Sequence, residues 1–203
     1  MSATKPRLSA EERRAAVLDT ACAIFSKGSY RGTTTAEIAR QAGVTEPILY
    51  RHFASKRDLY LACLDAAWDA CRDMWDLAVA QEADPGLWVT AMGRAYLDAR
   101  DRKPLVANLW VQALTEASDD AEIRRYLKRH MADVHDFVTA IIERSQQAGG
   151  IPKDRDAGAE AWIFISLGLL ATVSKRLGGM LDEEFPRISA SRRHWLTGRD
   201  SDV

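Results

Sequence analysis

The 203 residues, 47% of them hydrophobic, suffice to bury the core of one large domain, or of a small domain joined to a larger one. The polar stretch Met1 to Arg14 excludes a secretory signal there, and the greasiest run, Ala161 to Val173, is broken by Ser166, Gly168 and Thr172; a membrane span needs about 20 apolar residues, so a soluble, cytoplasmic protein with no membrane partner is expected. The net charge of −1 hides an asymmetry, because residues 1–60 carry ten Lys/Arg against six Asp/Glu, a net of +4, while the rest carry 18 against 23, a net of −5.

Pro is scarce, Leu and Ala are abundant, and every long segment repeats its apolar residues at the helical period, so an all-α fold is expected. The first helix opens at Ser9 with Glu12 three residues on, a capping-box spacing. It carries the stripe Val17, Leu18, Ala21, Ile24 and Phe25, and Gly28 is expected to end it in a left-handed turn. Thr34 and Glu37 repeat the capping spacing for a short helix ending at Gly43. Thr45 then caps a second short helix with Pro47 in its first turn, where a missing N–H costs nothing. Ser55 with Asp58 opens a long helix to about Gln81.

Asp84-Pro85-Gly86 breaks the chain before a helix to about Arg102, and Lys103-Pro104 breaks it again before one to about Ala117. Asp119 with Glu122 starts a long helix that ends near Gly149-Gly150-Ile151-Pro152. A strongly apolar helix covers about Asp156 to Leu177, and the tail from Asp182 to Leu196 is a weaker helix interrupted by Pro186. Three short helices thus precede a larger bundle, with a division expected at residues 1–54 and 55–203.

The informative window is TTTAEIARQAGVTEPILYRHFASK, Thr33 to Lys56. Two short helices cross at a large angle only where the crossing residues are small, and Ala39 and Gly43 supply those. Ile38, Val44, Leu49 and Phe53 seal the unit against the first helix. The second helix then turns Thr45, Glu46, Ile48 and Arg51 outward, a face able to enter the major groove. A basic head suits that contact with phosphate.

This segment resembles the DNA-binding domain of the TetR family of transcriptional regulators. The resemblance covers roughly Ala10 to Leu64 and rests on GVTEPILYRHFASKRDLY, with its Gly-hydrophobic turn, the aromatic pair of LYRHF and the Lys that opens the next helix. It implies that Glu46, Pro47 and Ile48 touch base edges. It implies that Tyr50, His52 and Lys56 hold phosphates, with Thr34 or Thr35 adding a hydroxyl or a helix-end amide. Glu46 has two readings, an acceptor for cytosine N4 or a charge favouring its helix dipole. Tyr50 is a phosphate contact or a packing residue, Arg51 a contact or a solvated charge, and His52 a contact or a satisfied helix-end histidine. Lys5 and Arg7 form a basic arm or an ordinary charged terminus.

A small head binds with specificity as a pair, so a homodimer on double-stranded, roughly palindromic operator DNA is expected. The apolar helix carrying Trp162, Ile165, Leu169 and Val173 is the expected dimer element, against the alternative of a central helix of one monomer. Aromatic and apolar stripes recur in the body. Trp68, Cys71 and Trp75 share one helix face, and Met92 and Tyr96 follow Trp88 on the next. Trp110 with Leu114, and Met131 with His135, continue the series. Each residue fits an ordinary core, and together they are the candidate lining for a small hydrophobic or aromatic effector. His52, His130, His135 and His194 form no HExxH pair, and no phosphate loop or GxSxG is present, so neither enzyme, cofactor nor metal is expected. Cys22, Cys63 and Cys71 read as reduced, buried thiols.

Overall fold

The computed structural model describes residues 9–102 and 105–199. Lys5, Arg7 and the break at Lys103-Pro104 lie outside them. The described residues form helices and turns without a strand: α1 (Ala10–Lys27), α2 (Thr35–Gln41), α3 (Glu46–His52), α4 (Lys56–Gln81), α5 (Trp88–Arg102), α6 (Leu105–Glu116), α7 (Ala121–Gln147), α8 (Ala157–Arg176) and α9 (Phe185–Thr197).

Local signals set most of the boundaries. Ser9 and Glu12 close a full capping box on α1, which holds the Glu12 carboxyl below its ordinary value. Thr34 accepts from the Glu37 N–H and caps α2. Asp156 accepts from the Ala159 N–H and caps α8. Gly43 sits at φ +69° between α2 and α3, a left-handed turn that favours glycine.

Five expectations need correction. Gly28 ends α1 in extended backbone at φ −108°, with no left-handed turn; its N–H still reaches the Ile24 carbonyl. Thr45 precedes α3 without a side-chain cap. Asp120, not Asp119, holds the start of α7, accepting from the N–H groups of Glu122 and Ile123 at 2.9 and 3.2 Å. Pro186 lies in the first turn of α9, where its missing N–H does no harm, so it starts a helix instead of interrupting one. Finally, α8 is apolar enough by length and composition to cross a membrane, its small apolar residues continuing beyond Glu160 to Ala157, although the core helix of a soluble protein can be equally apolar.

By compactness the chain falls into two units. The first takes residues 9–69 and 105–126, so it joins α1, α2, α3 and the first half of α4 to α6. Val17, Ala21, Phe25, Ile38, Leu49, Leu59, Tyr60 and Leu109 are its sealed interior. Tyr60 packs edge-on against Phe25, their centroids 5.0 Å apart, and burial pushes its phenol far above the ordinary value. The second unit takes residues 70–102 and 127–199, with Met92, Val138, Ile142, Ile151 and Ala161 buried. There α5 packs on α8, and Tyr96 hydrogen-bonds Thr172 across that pair at 3.0 Å.

Candidate nucleic-acid interface

The first unit builds a helix-turn-helix from the positions expected. Ala39, 2% exposed, lets the helices approach, and Ile38, Leu49 and Phe53 are buried against α1. The Val44 N–H reaches back to the Ala39 carbonyl at 3.0 Å and fixes the turn. What remains outside is α3: Thr45, Pro47, Tyr50 and Arg51 are exposed, while Glu46, Ile48 and His52 are half-buried.

Three of the expected contacts are joined to one another. The Thr35 hydroxyl donates to the Glu46 carboxylate at 2.5 Å and lies 3.0 Å from the Tyr50 phenol oxygen. Thr35 has a single proton and a carboxylate only accepts, so the Tyr50 O–H donates to Thr35. The order Tyr50 to Thr35 to Glu46 pins both α3 side chains to the start of α2. Thr35 itself is 8% exposed, so Thr34, which is exposed, is the more accessible of the two threonines.

Lys56 is likewise engaged. Its ammonium donates to the Thr33 carbonyl at 2.9 Å and lies 4.5 Å above the Tyr30 ring. Burial draws its pKa below the ordinary lysine value. An ammonium has three N–H donors, so donors remain at the first turn of α4 for an anion.

Long-range contacts redistribute the head's positive charge. Arg31 pairs with Glu116 at 3.1 Å and with Asp119. Arg57 pairs with Asp120 and Glu122 at 2.9 and 2.6 Å. The acids come from the end of α6 and the start of α7, so two of the ten cations counted in residues 1–60 are answered inside their own unit. Arg14, which sequence reasoning passed over, is exposed with its guanidinium 4.8 Å above the Phe53 ring. Only the tertiary proximity of α1 to the end of α3 reveals it.

The expected effector lining divides between the units. Trp68, Trp110 and Leu114 fall in the first, and Cys71, Trp75, Met92, Tyr96, Met131 and His135 in the second. Cys71, Trp75 and Met92 are buried, and Leu114 is exposed. Trp75 meets Phe137 and Phe164, with centroids 6.0 and 5.5 Å away. His135 stacks on Trp162 at 4.5 Å. Of the four expected dimer residues, Trp162 and Val173 are exposed, Leu169 is half-buried, and Ile165 faces its own core.

Comparison with known proteins agrees with this geometry. Residues 17–63 match the family described as bacterial regulatory proteins, tetR family. Residues 85–168 match the C-terminal domain of the BetI-type transcriptional repressor. The chain is 30% identical over 195 residues to the HTH-type transcriptional regulator TtgR of Pseudomonas putida, covering 85% of this chain and 91% of that one. It is 47% identical over 58 residues to the transcriptional activator FasR of Mycolicibacterium smegmatis, 29% of this chain and 26% of that one. A TetR-family crystal structure from Rhodococcus sp. shares the fold at TM-score 0.81 and 19% identity, covering 92% of this chain and 99% of that one.

Proposed function

The chain belongs to the TetR family of transcriptional regulators, which are DNA-binding proteins and not enzymes, and on that premise we propose that it is a cytoplasmic repressor, dimeric on a palindromic operator and released by a small apolar or aromatic effector. The observation that carries the proposal is the outward face of α3, where Glu46 is oriented by a buried hydroxyl while Pro47, Tyr50 and Arg51 are exposed. Glu46 reads a cytosine amino group, with Pro47 and Ile48 against neighbouring base edges. Thr45, Tyr50, Arg51, His52 and Lys56 hold the phosphates, Tyr50 giving up its bond to Thr35 when it does so, and Thr34 adds a hydroxyl. The division into a DNA-binding part, 1–54, and a sensing and dimerising part, 55–203, is retained as a functional one; the compact units cut elsewhere because α6 packs on α1.

Dimerisation is supported by the second unit's exposed apolar residues. Trp162, Ile163, Leu170 and Val173 on α8, and Trp195 on α9, are each at least 39% exposed. Water contact over so many large side chains favours their burial against a second copy. The effector site draws on Cys71, Trp75, Met92, Tyr96, Met131 and His135, which share the second unit. Helix α4 begins with Lys56 and also carries Trp75, so effector binding acts on the operator contact through that helix. The effector shifts the equilibrium only by its differential affinity for the two states, and a hundredfold preference corresponds to about 2.7 kcal/mol.

Fluorescence-anisotropy titration against the DNA flanking the gene tests the proposal. Two subunits per site are expected, with log K falling by about 0.9 per phosphate contacted per log unit of salt. Effector release distinguishes a repressor from an activator, which the effector would tighten. Thr35→Val is expected to change the preferred base under Glu46 in a selection from randomised operators. Binding no tighter than to random genomic fragments overturns the reading.

A further inference from the structure

Arg14 on α1 lies outside the helix-turn-helix and has no part in the contacts proposed above. It is exposed, with its guanidinium carbon 4.8 Å from the centroid of the Phe53 ring. That ring is buried and ends α3 as its C-cap, so the cation is held where α1 packs on α3. Phe53 follows His52 and precedes Lys56 at the start of α4, and both are phosphate contacts on the proposed reading. The ring attracts the cation through its quadrupole and offers no lone pair, so the planar fork of N–H donors remains for an anion. A guanidinium already held in place also loses less freedom on binding. Charge balance singles Arg14 out further. Arg31 and Arg57 are each answered by two carboxylates, whereas among the described residues no carboxylate answers Arg14. Glu12, two residues before it, is turned back to the Ser9 N–H at 2.7 Å.

We propose that Arg14 binds a backbone phosphate of the DNA, a contact made from α1 beside the phosphates held by His52 and Lys56. The inference rests on the operator reading, which sets α3 against the duplex. The guanidinium fork matches two oxygens of one phosphate, and Phe53 keeps it at the junction of α3 and α4. Such a contact adds affinity at every sequence and reads no base. With one Arg14 in each subunit of the proposed dimer, it accounts for two phosphates per site.

The test compares the full-length protein with Arg14→Gln by fluorescence anisotropy, on operator and random-sequence duplexes of equal length, over a series of salt concentrations. Arg14→Gln is expected to bind both duplexes at least about tenfold more weakly at low salt, with the ratio between them unchanged within about twofold. The slope of log K against log salt is expected to become shallower by about 1.8 per dimer, about 0.9 for each phosphate. Arg14→Lys keeps the slope because its charge remains, and loses part of the affinity because the fork is gone. Arg14→Met, whose apolar stem still covers Phe53, matches Arg14→Gln on DNA and replaces it if that variant fails to fold. A lowered melting temperature with an unchanged slope assigns Arg14 to packing on Phe53 and overturns the proposal. A loss confined to the operator duplex also overturns it, since that marks base reading. The random duplex separates this failure from that of the operator reading: a protein that prefers no sequence, yet loses slope in Arg14→Gln, keeps the phosphate contact and loses the operator assignment.

Discussion

The two compact units dispose of apolar surface in opposite ways. Among the described residues of the first, the large apolar side chains left exposed are Tyr50 and Leu114, and one of these belongs to the proposed DNA face. In the second, Leu77, Trp162, Ile163, Leu170, Val173, Leu177, Met180 and Trp195 are all exposed. The first unit closes its own core around an aromatic cluster, Phe25, Tyr30 and Tyr60, and ties its ends with Arg31 and Arg57 to the acids beside α7. The second buries enough to fold and leaves Trp162, Ile163, Leu170 and Val173 of α8 exposed. A unit that must present a rigid polar face to DNA gains from being closed. On the proposed reading the second recruits a second copy, and for that an open face is an advantage.

The sharpest way to break this contrast is to damage each unit separately. Leu49→Ala removes a fully buried side chain from the first unit and is expected to cost about 2–5 kcal/mol. Chemical denaturation followed by fluorescence should show that loss, operator binding should fall with it, and subunit mass by light scattering should not change. A comparable loss of dimer would contradict the separation.

The converse change is Trp162→Arg with Val173→Arg. Each side chain contributes about 1.5–3 kcal/mol if buried in an interface, so the double variant is expected to weaken dimerisation at least about a hundredfold in sedimentation equilibrium while circular dichroism stays helical. A dimer of unchanged strength would assign the open face to another partner.

The smallest effect sharpens the first unit alone. Burial works against the Asp120 carboxylate, but the Ile123 and Glu122 N–H groups and Arg57 outweigh it and hold its pKa below the ordinary value of 3.8. A carboxylate lowered on folding stabilises above its unfolded pKa, and that contribution disappears as pH falls through the lower folded value. Asp120→Asn is expected to cost about 0.5–1 kcal/mol after solvent screening. The difference from wild type should be flat from neutral pH to about pH 5 and should vanish under stronger acid. A difference that grew on acidification would refute the assignment.

Much of the DNA-binding region was legible in the residues themselves. Capping by Ser9 and Thr34, the small Ala39 and Gly43, and the apolar spacing through Leu49 and Phe53 are all settled within a few positions along the chain, because they depend on neighbours one or two helical turns away. The same locality explains the near misses. Asp119 and Asp120 satisfy the capping pattern almost equally, and α7 begins at Ala121, so Asp120 holds the cap while also pairing with Arg57, and Asp119 is left to Arg31. Pro186 reads as a breaker until its place in the first turn of α9 is known.

Tertiary structure decided what local patterns do not encode. The charge count made residues 1–60 basic, yet folding brings Asp119, Asp120 and Glu122 onto Arg31 and Arg57 from far along the chain. The hydroxyl of Thr35 reads as a phosphate contact in one dimension and orients Glu46 in three. In α8 the sequence determined that the helix is apolar on nearly every side, and for that reason it held no signal of which side stays uncovered. Packing against α5 chose Ile165 for the core and left Trp162 and Val173 in water, since a uniformly apolar helix has no preferred face until a neighbour provides one.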